Sequence, residues 1–258
     1  MVDIDKIVRE VLTELGQPPG GVNPPDLEPA DIARRLEHSL LTVGMTQDEL
    51  STECRMARSL RVGVVCVAPY YVADAVALLA GSGVSVCAAV GFPSAFLSTE
   101  AKMTDVRVSV MQGAAEIDLA IDVAAVKSGD MARAEKDFRS AVEIAGGVAV
   151  VKAVFEHGSY TETEKEAVLR MIGRSGVPFV KIQNMTSGHG ARTEEIQFVK
   201  GLLGNKVDIK IDGGVKTLPQ ALELFGAGAA RIGLTATKTL VEQAMAEYKA
   251  TDNRRIPR

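Results

Sequence analysis

Phe179-Val-Lys-Ile-Gln183 reads as a buried strand, apolar or β-branched except for the lysine at its centre, and Ile209-Lys-Ile211 repeats the arrangement with Lys210. An isolated ammonium is costly to bury, so two such lysines on successive strands need a chemical reason. Working outward from them, short apolar runs alternate with segments of helical period from Asp31 onward, the pattern of βα units around a parallel sheet. The strands are expected at 37–41, 62–68, 85–90, 116–123, 149–156, 179–183, 207–212 and 230–233. Helices fit between them at 72–79, 100–112, 130–145, 162–175, 193–203 and 218–226, each stopping near a glycine, and Thr46-Gln-Asp-Glu49 is a capping box that opens one more. Eight strands without a Gly-x-Gly-x-x-Gly after the first predict an α/β fold closed as a (β/α)₈ TIM barrel rather than an open doubly wound sheet.

The chain has 258 residues, a length that suits one such barrel. Ahead of it, Ile4, Ile7, Val8, Val11 and Leu12 form one apolar stripe that ends at Gly16 before a Pro/Gly-rich stretch. The expected organisation is therefore an extra N-terminal helix and linker over 1–26 and a barrel domain over 27–258. With 47% hydrophobic residues, 24% charged and a net charge of −4, the composition is that of a water-soluble protein without a nucleic-acid or membrane partner. No run reaches the roughly 18 apolar residues of a membrane span. The start, Met1-Val-Asp-Ile-Asp5, has no signal-peptide pattern, so a cytoplasmic location is expected. Cys54, Cys66 and Cys87 are expected to be free thiols, and His38, His157 and His189 lack metal-ligand spacing, so no metal or other cofactor is expected.

In a parallel barrel the chemistry collects at the C-terminal ends of the strands. Neighbouring lysines there lower each other's pKa by charge repulsion, and desolvation acts the same way, so Lys181 and Lys210 are expected to supply the neutral amine that attack on a carbonyl requires. Pairing with a carboxylate is the structural alternative for each. Asp118 and Asp122 on the strand 116–123 are expected on one face, because four positions separate them; a carboxylate there can shuttle protons or merely neutralise a lysine, and for Asp122 neutralisation is the better reading. Asp212 points the same way as Lys210. Asp212-Gly-Gly-Val215 and Gly233-Leu-Thr235 carry candidate anion-binding turns after strands seven and eight. The candidate substrate-binding residues are thus Gly213, Gly214, Gly233, Thr235 and the inward-pointing Cys66, which is given no catalytic role.

Leu36-Glu-His-Ser-Leu-Leu41, Val65-Cys-Val-Ala-Pro69, Val90-Gly-Phe-Pro93, Lys127-Ser-Gly-Asp130, Phe179-Val-Lys181, Lys210-Ile-Asp-Gly-Gly-Val-Lys-Thr217 and Arg231-Ile-Gly233 together resemble the deoxyribose-phosphate aldolase family, from Asp31 to about Glu242. The resemblance implies a class I aldolase that reversibly cleaves 2-deoxyribose 5-phosphate to acetaldehyde and glyceraldehyde 3-phosphate, with no metal. It matches Lys181 to the Schiff-base lysine, Lys210 to the lysine that lowers its pKa and Asp118 to the proton-relay acid. The partner implied is a small aldehyde or sugar phosphate; separately, exposed helix faces on barrels often make dimers, so a homo-oligomer is expected. The chain departs from the family after Lys181, where the usual Thr-Ser-Thr-Gly is Ile182-Gln-Asn-Met185. It also has Glu37 for an aspartate, His157 for a threonine, added carboxylates at Asp122 and Asp212 near the lysines, and a last phosphate turn that reads Gly233-Leu-Thr-Ala-Thr237. Two alternatives follow: a lysine-dependent aldolase or acyl transferase with a different keto substrate, phosphorylated or not, or a sugar-phosphate binding barrel without catalysis.

Overall fold

The computed structural model of the protein describes residues 27–93, 95–186 and 188–255. The expected N-terminal helix and the linker to residue 26 lie outside the described residues. Eight parallel strands close into a barrel in sequence order: β1 (Leu36–Leu40), β2 (Val64–Val67), β3 (Ser85–Val90), β4 (Glu116–Ala120), β5 (Val150–Glu156), β6 (Phe179–Gln183), β7 (Asp208–Asp212) and β8 (Arg231–Leu234), with β1 pairing β8. The expected fold class holds. Closure leaves no sheet edge, and the helices cover the outer face, so the strands are buried on both sides and read as nearly continuous apolar runs.

Local chemistry explains the element ends. Thr46 accepts from the Glu49 backbone N–H while Glu49 accepts from the Thr46 N–H, the capping box that opens Gln47–Leu60. Thr161 and Glu164 do the same for Glu162–Ser175. Two helices go beyond the sequence reading. Pro29–Arg35 precedes β1, opened by a proline whose missing N–H costs nothing at that position. Val123–Lys127 replaces the expected end of the fourth strand, because the ladder to β5 stops at Ala120 opposite Val154.

That shortening corrects the expectation for Asp122. Its carboxylate caps the helix Val123–Lys127 by accepting from the Ala125 N–H at 2.9 Å, and its other oxygen lies 3.1 Å from Arg133 Nε. Asp122 therefore turns away from the lysines that Asp118 faces.

Candidate active site

The strands place Lys181 and Lys210 side by side as register partners on β6 and β7, and Asp118 and Lys152 as partners on β4 and β5. All three lysine side chains are buried in the barrel interior. Lys152 is the residue that the sequence reading missed. A lysine inside an apolar strand was the signal that singled out Lys181 and Lys210, and the run Val150–Glu156 carries the same signal.

Carboxylates meet each ammonium. Lys181 Nζ lies 3.0 Å from Asp118 Oδ2 and 2.8 Å from Asp212 Oδ2. Lys210 donates to Asp118 Oδ2 at 2.8 Å and to Glu37 in a very short contact, with Asp212 Oδ1 at 3.7 Å. Lys152 reaches Glu37 Oε2 at 2.8 Å, Asp118 Oδ1 at 3.1 Å and Glu116. At the opposite end of the barrel, Arg231 Nη1 lies 2.7 Å from Glu116 Oε1. Glu37, Glu116, Asp118 and Asp212 are thus balanced by Lys152, Lys181, Lys210 and Arg231. The four acids and four bases form one chain of alternating charge along the barrel axis, from the first residues of β4 and β8 to the last residue of β7. Balance of this kind is what lets so many charges stay buried.

The balance runs against the lowering of the lysine pKa values that repulsion and desolvation alone would give. Burial pushes Lys181 down, but Asp118 and Asp212 outweigh it and hold the ammonium well above its ordinary value of 10.5. Lys210 is likewise raised: burial and the neighbouring Lys181 act downward, and Asp118, Asp212 and Glu37 act upward more strongly. Lys152 follows the same rule. Conversely, burial alone would raise Asp118, yet Lys152, Lys181 and Lys210 hold its carboxyl well below the usual carboxylate range. Like-charge repulsion is present, as the sequence reading required, but the acids beside the lysines exceed it.

A cavity of about 520 Å³ opens over this network at the C-terminal end of the strands. Its walls include Lys181 and Asp212, the turn Gly213-Gly214, and Gly233 and Thr235 beyond β8. Gly213 and Gly214 have φ of 121° and 67°, a left-handed backbone that other residues rarely adopt. The candidate residues Lys181, Gly213, Gly214, Gly233 and Thr235 therefore share one cavity. Asp118, Lys210 and Cys66 do not line it; they are buried beneath, with Cys66 Sγ 3.9 Å from Asp118 Oδ2. Phe92 closes another side, its ring centred 5.5 Å from Lys181 Nζ.

Gly233 has a role that the sequence reading did not give it. A Cβ on Gly233 would lie 1.9 Å from Asp212 Oδ1, so only glycine leaves room for that carboxylate on its register partner. The rewritten segment after Lys181 is built into the wall as well. Gln183 donates to Glu156 Oε2 at 3.1 Å and Asn184 to the buried Glu195 at 2.8 Å, while Met185 is exposed on the cavity.

Of the other sequence candidates, His38 is buried between Thr237 Oγ1 and Glu53 Oε2, each at 2.9 Å, in a hydrogen-bonding role. His157 and His189 lie 3.5 and 3.9 Å from Glu195 Oε1. Among the described residues one group has a geometry that could hold a cation: ligand atoms of Glu37, Cys66, Cys87 and Asp118 lie within 4.8 Å of one another. Both of its carboxylates already contact ammonium groups, so a cation would have to displace lysines to bind there. Burial pushes the Cys87 thiol far up, which disfavours the thiolate that a metal takes. Among the described residues no helix is long and apolar enough to cross a membrane.

No family model matches the chain. A deoxyribose-phosphate aldolase from Alkaliphilus oremlandii is 36% identical over 211 residues, which are 82% of this chain and 95% of the relative. One from Bacillus cereus is 34% identical over 223 residues, 86% of this chain and 99% of its own. Solved structures agree in fold: an aldolase designated QR15 superposes with a TM-score of 0.80 at 24% identity, covering 85% of this chain and 98% of its own. The tetrameric deoxyribose phosphate aldolase of Aeropyrum pernix superposes with a TM-score of 0.77 at 21% identity, covering 97% and 100%. Identity above 30% carried across most of this chain and nearly all of its relatives establishes that the protein belongs to the deoxyribose-phosphate aldolase family.

Proposed function

We propose that the protein is a class I aldolase that forms a Schiff base on Lys181 and reversibly cleaves 2-deoxyribose 5-phosphate to acetaldehyde and glyceraldehyde 3-phosphate. The observation that carries this reading is the position of Lys181. Of the buried strand lysines that contact Asp118, it is the one on the cavity wall. Its family membership supplies the substrate class.

In the cleavage direction Lys181 condenses with the C1 aldehyde of the open-chain sugar and releases water. The iminium nitrogen then takes up the electrons of the C2–C3 bond as the hydroxyl on C3 gives up its proton and glyceraldehyde 3-phosphate leaves. Protonation of the enamine carbon and hydrolysis of the iminium return acetaldehyde and free lysine. Lys210 holds a second positive charge beside the amine, which eases loss of the Lys181 proton once the ion pairs loosen. Asp118, in contact with both lysines, relays protons between them. The turn Gly213-Gly214 and Thr235, with backbone N–H and hydroxyl donors, suit the phosphate. The exposed Lys216 beside that turn adds a cation.

We also read the protein as a homo-oligomer, on the strength of the tetrameric Aeropyrum relative and of Val108 and Met111, exposed apolar residues on the helix Thr99–Met111. Light scattering that gives a monomer mass at working concentration excludes this.

The test of the activity is direct. Incubation with acetaldehyde and borohydride is expected to add the mass of one ethyl group at Lys181, and deoxyribose 5-phosphate is expected to be cleaved. A second reading rests on Met185, which stands in the wall where the family usually has glycine, and on the added carboxylate of Asp212: a non-phosphorylated carbonyl partner. An adduct at Lys181 without cleavage of the phosphorylated sugar favours it. Unmodified Lys181 with every carbonyl tried, alongside tight sugar-phosphate binding, leaves the non-catalytic barrel.

A further inference from the structure

We infer that Asp212 is a further catalytic residue, the base that takes the proton from the Lys181 ammonium and the acid that returns it to the carbinolamine hydroxyl. The inference rests on the Schiff-base reading of Lys181 given above.

Asp118 relays protons within the network, but for the first proton off Lys181 the geometry favours the other carboxylate beside it. Two carboxylates against Nζ favour the ammonium form of Lys181, and a proton must leave before its nitrogen can attack. Two carboxylates touch Nζ, Asp118 at 3.0 Å and Asp212 at 2.8 Å. Asp118 is enclosed and faces three ammonium groups, which oppose its protonation. Asp212 lies on the cavity wall with its side chain 15% exposed. Oδ1 of Asp212 and Oδ1 of Asp118 both lack a hydrogen bond, but Lys152 Nζ lies 3.1 Å from the latter while Lys210 Nζ lies 3.7 Å from the former. Adding a proton to Asp212 therefore disrupts fewer contacts than adding one to Asp118. The glycine at 233 keeps the carboxylate in this position, since a methyl group there would occupy the place of Oδ1.

The step balances with these groups alone. Lys181 gives a proton to Asp212 Oδ2 as its lone pair forms the C–N bond, and the carbonyl oxygen becomes the carbinolamine hydroxyl on taking the second nitrogen proton. Asp212 then protonates that hydroxyl, the C–O bond breaks, and water leaves an iminium with the carboxylate restored. Net, an ammonium and a carbonyl become an iminium and water.

The experiment follows iminium formation on the whole protein, by mixing with acetaldehyde, reducing with cyanoborohydride at timed intervals and measuring the mass of the Lys181 peptide, across a pH series. Asp212→Asn is expected to slow the appearance of the adduct by about 10²-fold at neutral pH, with partial recovery as pH rises and hydroxide replaces the missing base. Asp212→Glu, which keeps a carboxylate, is expected to retain most of the rate and to guard against a loss that is merely structural. Asp212→Asn forming the adduct as fast as the native protein, or faster because its lysine has lost a counter-charge, overturns the inference. So does equal slowing in both variants without recovery at high pH. A native protein that gives no Lys181 adduct overturns the Schiff-base reading and this one with it, whereas an unimpaired Asp212→Asn removes this one alone.

Discussion

Lys181 and Lys210 are register partners on β6 and β7, and both reach the same oxygen of Asp118, at 3.0 and 2.8 Å. Two ammonium groups on adjacent strands are held together by one shared carboxylate oxygen. The distinction between the lysines is position: Lys181 lines the cavity and Lys210 lies beneath it. Lys181→Arg keeps a cation against Asp118 and Asp212, but guanidinium does not give up a proton at any working pH. The expected result is a folded protein with no imine trapped by borohydride and no cleavage above background, measured by peptide mass and a coupled assay.

Lys210→Met leaves the buried carboxylates of Glu37 and Asp118 short of one partner. Breaking a buried pair from one side costs roughly 3–5 kcal/mol, so the urea midpoint is expected to fall markedly. Activity of the fraction still folded is expected to drop by about 10²-fold or more, because the charge and proton contacts beside Lys181 are lost.

The acid limb of stability comes from the same network. Glu37 is lowered from its ordinary 4.5, because Lys152 and Lys210 outweigh the burial that would raise it, and Asp118 is lowered well below 3.8. Carboxyls with depressed folded values contribute stability in full above their unfolded values and lose it as pH falls through the folded ones. The three lysines, raised above 10.5, contribute in full below that value and lose the contribution as pH rises beyond it. The network's contribution is therefore expected to be flat from about pH 5 to about pH 10 and to fall on both sides. Urea titrations across pH test this. Glu37→Gln is expected to flatten the acid limb as well as lower the plateau.

Gly233 and Asp212 should be coupled. Gly233→Ala puts a methyl group where the Asp212 carboxylate lies, so it is expected to displace that carboxylate from Lys181 and to lower kcat more than it raises KM. In an Asp212→Ser background the added methyl is expected to cost much less. A double-mutant cycle on kcat measures the interaction, and additive effects would refute the coupling.

A buried lysine elsewhere provides the control. Lys102, on the helix Thr99–Met111, is fully buried against Asp137, which also accepts from Thr99 Oγ1 at 2.6 Å. This pair lies on the helical layer between Thr99–Met111 and Met131–Ala145, outside the cavity. Asp137→Ala is expected to destabilise by about 3–5 kcal/mol while leaving kcat of the folded protein unchanged, read by urea denaturation and by rates well below the unfolding midpoint.

The sequence by itself determined the alternation that makes a closed eight-stranded barrel, and it singled out Lys181 and Lys210, because apolar periodicity and a charge interrupting a strand are local properties of the chain. It also brought Gly213, Gly214, Gly233 and Thr235 to one mouth, since the residues just past β7 and β8 must gather at the C-terminal end. Lys152 and Lys102 show where local reading stopped. Both are buried, yet one joins the network and the other braces two helices, a difference that depends on which carboxylate each meets. Only the tertiary structure decided those pairings, because Glu37 on β1, Glu116 and Asp118 on β4 and Asp212 on β7 lie far apart along the chain and closure turns their side chains into one shared interior. It also decided that Asp122 turns outward to cap a helix. The charge of Lys181 followed from the same closure, since a pKa is the sum of burial and every nearby charge, and the acids that outweigh repulsion become visible only when the barrel is closed.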